Sequence, residues 1–215
     1  MTGLSKCQEE QRIRILRYAM NEFTTKGIRH VKMDDVAAGL VMSKRTLYEL
    51  FGDKENLLIE ALRFRSQQVR EEVIAITQKS ANPLEAYVRI FNYKLDDLHT
   101  VNPVFLSEAQ RYESVKKMFD EETERRSQYA MQFVNACREA GLFRSDVNYA
   151  LMLRVFDITG HAIMKEELYR EFGLTDIMHT VNITYIRGLC TPEGITVLDE
   201  ALQRINKKKR SRKNN

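Results

Sequence analysis

Six consecutive residues, Ser43 to Tyr48 (SKRTLY), combine side-chain types that suit contacts with double-stranded DNA. Lys44 and Arg45 match the acceptor atoms of guanine, and the methyl group of Thr46 matches that of thymine. Ser43, Thr46 and Tyr48 also carry hydroxyl groups that bond phosphate oxygens. Because Ser43 is a preferred N-cap residue, the pattern predicts a short helix that presents these groups near its first turn, as a helix in the major groove does.

The preceding residues are expected to form the helices that position this segment. Apolar residues recur at helical spacing between residues 13 and 23 and predict a first helix that ends before Gly27. A second short helix is predicted from about residue 33 to 39, and a third from Lys44 to about Leu50. The stretch from about 32 to 51 is therefore predicted to be a helix-turn-helix motif.

The rest of the chain shows only helical periodicity. Asn82-Pro83 and Asn102-Pro103 each read as an N-cap followed by proline in the first helical position. Asp146 and Thr175 are predicted to cap later helices, and Thr191-Pro192 is predicted to begin a last helix that ends near Ile205. With nine Gly and three Pro in 215 residues, turn residues are too few for a many-stranded sheet. The fold class predicted is all-α, with about nine or ten helices.

Net charge does not by itself indicate nucleic-acid binding. The chain carries a net charge of +4, but six basic residues lie between Lys207 and Lys213, so the remainder is net negative. Residues 1–60 hold ten Lys and Arg against nine Asp and Glu. DNA binding is therefore expected to depend on a few placed side chains rather than on a general positive surface.

The residues that support catalysis or metal binding are not arranged in a recognisable pattern. The three Cys residues are far apart, with no CxxC spacing, and the four His residues lack HExxH or paired-ligand spacing. No glycine-rich phosphate loop or nucleophile–base pair is visible. The sequence predicts a cytoplasmic chain with reduced thiols, with no membrane span, no metal and no cofactor, and not an enzyme.

A longer pattern surrounds the SKRTLY segment. It begins with small and aromatic residues in the first helix and continues to the start of the fourth. In order, the residues are Ala19, Phe23, Gly27, Val36, Ala37, Ser43, Lys44, Arg45, Thr46, Leu47, Tyr48, Phe51, Lys54, Glu55 and Leu57.

In types and spacing, this pattern resembles the DNA-binding domain of tetracycline-repressor (TetR) family transcriptional regulators. The resemblance implies a TetR-type DNA-binding domain over residues 9–69 and a helical regulatory and dimerisation domain over 70–206. The basic stretch 207–215 is predicted to be a disordered tail. The residues expected to contact an operator in double-stranded DNA are Lys32, Met33, Ser43, Lys44, Arg45, Thr46, Tyr48 and Lys54.

Three positions depart from the family pattern. Lys32 stands where the family often has a hydroxyl residue, so it is expected to reach a phosphate rather than cap a helix. Val41 replaces the usual turn glycine, which affects the geometry expected of the turn. Arg45 replaces a common small residue and adds a base-reading group.

The regulatory domain is expected to dimerise and to hold a ligand. Helices at about 146–170 and 175–190 are expected to form a homodimer interface, since Gly160, Ala162 and Gly188 permit close helix approach. Packing within one chain is the alternative for those small residues. Aromatic residues between 54 and 140 predict a pocket for a small, largely apolar ligand, although such a stripe also fits ordinary core. These are Tyr87, Phe91, Phe105, Tyr112, Phe119, Tyr129 and Phe133.

The function expected is that of a homodimeric repressor released from a palindromic operator by a small-molecule inducer. One alternative keeps the same DNA-binding head under the control of a protein partner, with no small-molecule pocket. The other is a packed three-helix element without affinity for DNA. A filled core between residues 54 and 140 would favour control by a protein partner.

Overall fold

The chain folds into α-helices. The structure, a computed structural model, describes residues 6–98, 101–109 and 111–213, and within these ranges it contains eleven helices and one isolated β-bridge. The predicted all-α class is confirmed. None of the described helices combines the length and the apolar character that a bilayer span requires. The helices are α1 (Lys6–Lys26), α2 (Met33–Gly39), α3 (Lys44–Phe51), α4 (Lys54–Gln78), α5 (Pro83–Leu98), α6 (Pro103–Ala109), α7 (Glu113–Glu139), α8 (Tyr149–Lys165), α9 (Tyr169–Phe172), α10 (Leu174–Leu189) and α11 (Pro192–Lys213).

Two compact units share the chain, and they are interleaved along the sequence. Within the described residues, the first unit comprises 6–72 and 101–121, and the second comprises 73–98 and 122–213. The predicted division was contiguous, with a boundary between residues 69 and 70. The compact units differ from it because α6 and the start of α7 pack with the N-terminal helices.

One hydrophobic cluster holds the first unit together. The apolar stripe predicted for the first helix is buried, and it joins residues from α2, α3, α4 and α6 in a single core. Burying several aliphatic and aromatic side chains at about 1.5–3 kcal/mol each fixes the relative positions of these helices. The members that are at most 1% exposed are Ile15, Ala19, Phe23, Ile28, Val36, Ala37, Leu47, Leu57, Leu58, Ala61, Ala109 and Val115.

Helix α6 is bonded to the end of α1 and to the loop that follows it. The backbone N–H of Asn102 donates to the carbonyl of Thr24 at 2.7 Å, and its side-chain amide donates to the carbonyl of Thr25 at 3.1 Å. The buried carboxylate of Glu108 accepts the backbone N–H of Arg29 at 3.0 Å. These bonds satisfy polar groups that the end of a helix leaves without partners, and they hold the loop that leads into α2.

The second unit has its own core, formed where α5 packs along α11 and α10. Leu84, Val88 and Leu198 are fully buried in it. Cys137 and Cys190 belong to the same core, and burial raises the pKa of their thiols to about 12 and about 11. Both thiols are therefore protonated at neutral pH.

Helix boundaries in the second unit differ from those predicted. Asn148, not Asp146, caps α8, because its side-chain oxygen accepts the backbone N–H of Leu151 at 3.0 Å. Asp146 instead pairs with Arg144. Thr175 lies inside α10, which follows Gly173 with no side-chain cap.

The last helix is longer than predicted. Helix α11 continues to Lys213 instead of ending near Ile205, so the basic stretch is helical as far as that residue, where a disordered tail was predicted. Residues 214 and 215 lie outside the described part of the chain.

Candidate DNA-binding site

The α2–turn–α3 segment forms the predicted helix-turn-helix. Ser43 caps α3, as its side-chain oxygen accepts the backbone N–H of Thr46 at 3.0 Å, and the two hydroxyl groups are 2.8 Å apart. At the other end, Gly52 ends α3 with a positive φ of 74° and donates its N–H to the carbonyl of Tyr48 at 2.8 Å. The short helix is therefore fixed at both ends by local bonds.

One face of α3 is buried and the opposite face is open. Leu47 is 0% exposed and Phe51 is 4% exposed, so these residues anchor the helix in the core of the first unit. The side chain of Arg45 is 87% exposed, that of Lys44 is 64% exposed, and Tyr48 is 47% exposed. The structure thus brings these three predicted DNA contacts together on one outward face.

Each of the two cations on this face has an acidic partner within the motif. The ammonium group of Lys44 pairs with Asp34 in the first turn of α2, and this hydrogen bond raises the pKa of Lys44. The Nε group of Arg45 donates to Glu49 Oε1 at 2.7 Å, one helical turn further on. Sequence reasoning missed both partners, although Arg45 and Glu49 have the i,i+4 spacing of helical ion pairs.

An arginine in α1 supports the end of α3. Arg12 donates to the carbonyl of Leu50 at 3.5 Å, and its guanidinium lies 4.7 Å from the ring centre of Phe51. The same guanidinium pairs with Glu60 in α4. Arg12 therefore fixes α3 to the two helices around it. These contacts span some 40 residues of sequence, so no local pattern indicated them.

The other predicted DNA contacts, Lys32, Met33 and Lys54, differ in their exposure and in the groups that they contact. Lys32 is exposed just before α2, and its backbone N–H donates to the carboxylate of Asp35 at 3.4 Å. Met33 is only 6% exposed and packs in the core, so its side chain is not presented for a contact with DNA. Lys54 donates to the carbonyls of Ile28 and Val31 at 3.0 and 3.2 Å.

The turn between α2 and α3 has the conformation that glycine normally supplies. Val41 has a φ of 53° and its side chain is 92% exposed. A left-handed backbone costs an L-residue roughly 1–2 kcal/mol, and a β-branched side chain is unfavourable there. Because the valine side chain is exposed, it gains no stabilisation from burial that would offset that cost.

Replacing Val41 with glycine is expected to raise the free energy of unfolding by about 1 kcal/mol, because glycine adopts the left-handed region without strain. Urea unfolding of the wild-type and variant chains measures the difference. The free energies of unfolding are compared with the same slope against urea concentration for both chains. The substitution Gly52→Ala is the matched control at a positive φ of 74° and is expected to lower stability. A less stable Val41→Gly chain would contradict the strain argument.

The seven aromatic residues predicted to line a pocket divide between the two units. Phe105, Tyr112 and Phe119 belong to the core of the first unit or pack against it. In the second unit, Tyr129 is 60% exposed. The remaining three, Tyr87, Phe91 and Phe133, also belong to the second unit and form one cluster there.

The Tyr87 ring stacks on Phe133 at 5.0 Å and on Phe91 at 6.1 Å between ring centres. Its hydroxyl donates to the side-chain oxygen of Asn182 at 3.1 Å, and burial raises the pKa of the Tyr87 phenol. Asn182 is itself buried and donates its amide to the carbonyl of Met178 at 2.7 Å. The cluster is therefore largely apolar, and its polar members include the Tyr87–Asn182 pair and the His179 imidazole, 6.4 Å from the Phe91 ring centre.

Within the described residues, open clefts lie elsewhere, and two of them are defined by the residues that line them. One, of about 650 Å³, lies in the first unit between α1 and α2 and includes Arg14, Arg17 and Tyr18. The other, of about 310 Å³, lies in the second unit beside Arg138 and Phe143. Neither includes any of the seven aromatic residues predicted to line a pocket.

Helix α8 exposes an apolar stripe. Leu151, Val155 and Ile158 are 57%, 38% and 54% exposed, and Ala162 continues the same spacing. On α10, the small residues Thr180, Thr184 and Gly188 are exposed at four-residue intervals. A Cβ at Gly188 would meet no described atom within 4 Å beyond its own turn of helix. Both predicted dimer helices thus have an uncovered face of a kind that permits close packing.

Comparisons with known proteins agree with this geometry. Residues 15–61 match the family model described as bacterial regulatory proteins, tetR family. The HTH-type transcriptional repressor KstR2 of Mycobacterium tuberculosis is 28% identical over 145 residues, which is 65% of this chain and 72% of that protein.

Solved structures share the fold. A putative transcriptional regulator from Saccharomonospora viridis, solved in complex with choline, gives a TM-score of 0.70 at 21% identity and covers 86% of this chain and 100% of its own. The ketosteroid transcriptional regulator KstR2 of M. tuberculosis gives a TM-score of 0.57 at 23% identity and covers 84% of this chain and 95% of its own.

The helical fold and its capped, outward-facing third helix define a helix-turn-helix DNA-binding protein. The matched segment specifies the family of that domain: residues 15–61 carry the DNA-binding domain of the tetR family of bacterial regulatory proteins. The resemblance seen in the sequence is confirmed.

Proposed function

We propose that the chain is a homodimeric repressor that binds a palindromic operator and is released from it by a small, largely apolar ligand. The observation that carries the DNA-binding part is the open face of α3. Lys44, Arg45 and Tyr48 project from a helix that is capped at both ends and anchored by Leu47. A rigid helix with basic groups in its first turn is the arrangement that reads base edges in the major groove.

The α8 stripe supports a homodimer. Exposed aliphatic side chains at the spacing of Leu151, Val155 and Ile158 leave apolar surface in water when the chain is alone. A second copy that presents the same helices would cover that surface in an interface of two-fold symmetry. The stripe is held in place by α10, because Phe156 packs edge-on against Tyr185 at 5.3 Å and the Tyr185 hydroxyl bonds Thr159 at 3.2 Å.

Two-fold symmetry determines the form of the operator. Two copies of α3 reading successive major grooves require half-sites about one helical turn apart, roughly 34 Å. The half-sites would form an inverted repeat. In each half-site, Lys44, Arg45, Thr46 and Tyr48 would face the bases, while Ser43, Lys54, Lys32 and the backbone of Met33 would lie at phosphates.

The aromatic cluster of the second unit supports a largely apolar ligand. Tyr87 and Asn182 provide a buried hydroxyl–amide pair beside Phe91 and Phe133, so a ligand with an apolar body and few polar atoms fits this chemistry. The names of the relatives supply two probes of different chemistry. A ketosteroid is the apolar probe, and choline is the cationic probe.

A saturating ketosteroid is expected to lower the affinity of the chain for its operator at least tenfold, because a ligand that favours the DNA-incompetent state shifts the equilibrium. Choline is expected to leave it unchanged. Fluorescence anisotropy of labelled operator measures both. The substitution Tyr87→Phe removes the hydroxyl and retains the ring, and it is expected to weaken the ketosteroid effect without altering operator binding in the absence of ligand.

One observation favours the alternative of control by a protein partner. The Tyr87 ring stacks on both Phe91 and Phe133, so these rings occupy space that a ligand would need. A chain that binds its operator but responds to neither probe, with no shift in melting temperature, would contradict the apolar-ligand proposal and favour this alternative.

A further inference from the structure

The ion pair on the reading face involves a residue that the DNA-binding pattern does not include. Glu49 lies one turn after Arg45 on α3, and its side chain is 60% exposed. An exposed i,i+4 pair contributes only about 0.3–0.5 kcal/mol to stability, so folding does not explain an acidic group on a surface that meets phosphates. An unpaired carboxylate there would oppose DNA binding.

The geometry of the pair leaves the reading edge of the arginine open. Glu49 Oε1 accepts the hydrogen of Arg45 Nε at 2.7 Å. A guanidinium has five N–H groups, and the two terminal nitrogens form the edge that bonds guanine O6 and N7. A carboxylate on Nε therefore restrains the plane of the guanidinium and engages neither of the two terminal nitrogens.

We propose that Glu49 is a positioning residue for sequence recognition: it orients Arg45 for a bidentate contact with guanine and restrains it from phosphates at other sequences. The inference rests on the proposed role of α3 in operator binding and deepens it. On non-operator DNA, Arg45 must give up its partner to reach a phosphate. On the operator, it keeps Glu49 and bonds guanine at the same time.

The Lys44–Asp34 pair differs from the Arg45–Glu49 pair, and the difference explains why only Arg45 is expected to be oriented by its acidic partner. Lys44 also has an acidic partner, but an ammonium group has no plane to orient. Its pairing with Asp34 limits the charge offered to phosphates and selects no base. The two pairs therefore differ in their expected effect on base preference.

The variant Glu49→Gln removes the charge and keeps a side chain of the same length. It is expected to increase affinity for non-operator DNA roughly fivefold at low salt. The slope of the logarithm of that affinity against the logarithm of salt concentration is expected to become steeper by about 0.9. The variant's ratio of operator to non-operator affinity is expected to fall at least about fivefold, with the guanine preference weakened in binding-site selection. Glu113→Gln, an exposed charge change in α7, is the control and should leave the ratio unchanged.

A double-mutant cycle tests whether Glu49 acts through Arg45. In the Arg45→Ala background, Glu49→Gln is expected to leave base preference unchanged, because no guanidinium remains to be oriented. A change of preference at some base pair in that background would mean that Glu49 reads a base itself, and would overturn the proposal. So would an unchanged affinity ratio in Glu49→Gln alone. A wild-type chain that selects no DNA site would overturn the proposed function, and the inference with it.

Discussion

Replacing Arg45 with alanine is expected to weaken operator binding by about 1–3 kcal/mol, which corresponds to roughly 5- to 150-fold in affinity. The arginine side chain is 87% exposed, so the loss would not come from a change in the core. Binding to non-operator DNA is expected to change much less, because Arg45 is engaged by Glu49 rather than presented to phosphates. Titration of operator and scrambled DNA at one salt concentration measures both effects.

The matched control for Arg45→Ala is Arg63→Ala. Arg63 is an exposed arginine in α4 of the same unit, so its replacement removes the same charge away from α3. Equal losses for the two variants would mean that Arg45 acts only through its charge. Unchanged base preference in Arg45→Ala would remove the base-reading role altogether.

Replacing Ile158 with aspartate is expected to convert the dimer to a monomer and to lower operator affinity roughly 100-fold or more. The side chain lies at the centre of the α8 stripe and is 54% exposed, so aspartate is tolerated in one chain but not in an apolar interface. Linking two half-site contacts multiplies affinity by about 10²–10⁴, and a monomer loses that factor. Sedimentation equilibrium measures the association, and anisotropy measures the operator affinity.

Ile74→Asp is the control for the dimer prediction, since Ile74 is 56% exposed on α4 and lies outside the α8 stripe. It is expected to remain dimeric. If Ile158→Asp also remained dimeric and bound the operator fully, α8 would not form the interface.

The helix-turn-helix could be predicted from sequence because local rules determine it. Ser43 caps α3 through a bond to a residue three positions away, and Leu47 and Phe51 share one face by helical spacing. Val41 stands at the turn where the left-handed backbone occurs, as its replacement of a usual glycine indicated. The start of α11 could also be predicted from a local pattern, the pair Thr191-Pro192.

The rest depended on contacts between residues distant in sequence. The bond from Arg29 to Glu108 spans 79 positions, and it helps to place α6 in the first unit, where the predicted division did not put it. Lys54 bonds carbonyls of a loop 23 and 26 residues earlier, which no periodicity reveals. The ring stacking of Tyr87 and Phe133 likewise depends on how α5 and α7 meet.

Binding-site selection from randomised double-stranded DNA with the full-length chain tests the central claim most directly. We expect enrichment of an inverted repeat with half-site centres about 10 base pairs apart. Each half-site should contain a guanine whose enrichment is lost in Arg45→Ala. Enrichment of an unrepeated sequence, or no enrichment over the starting library, would contradict the claim.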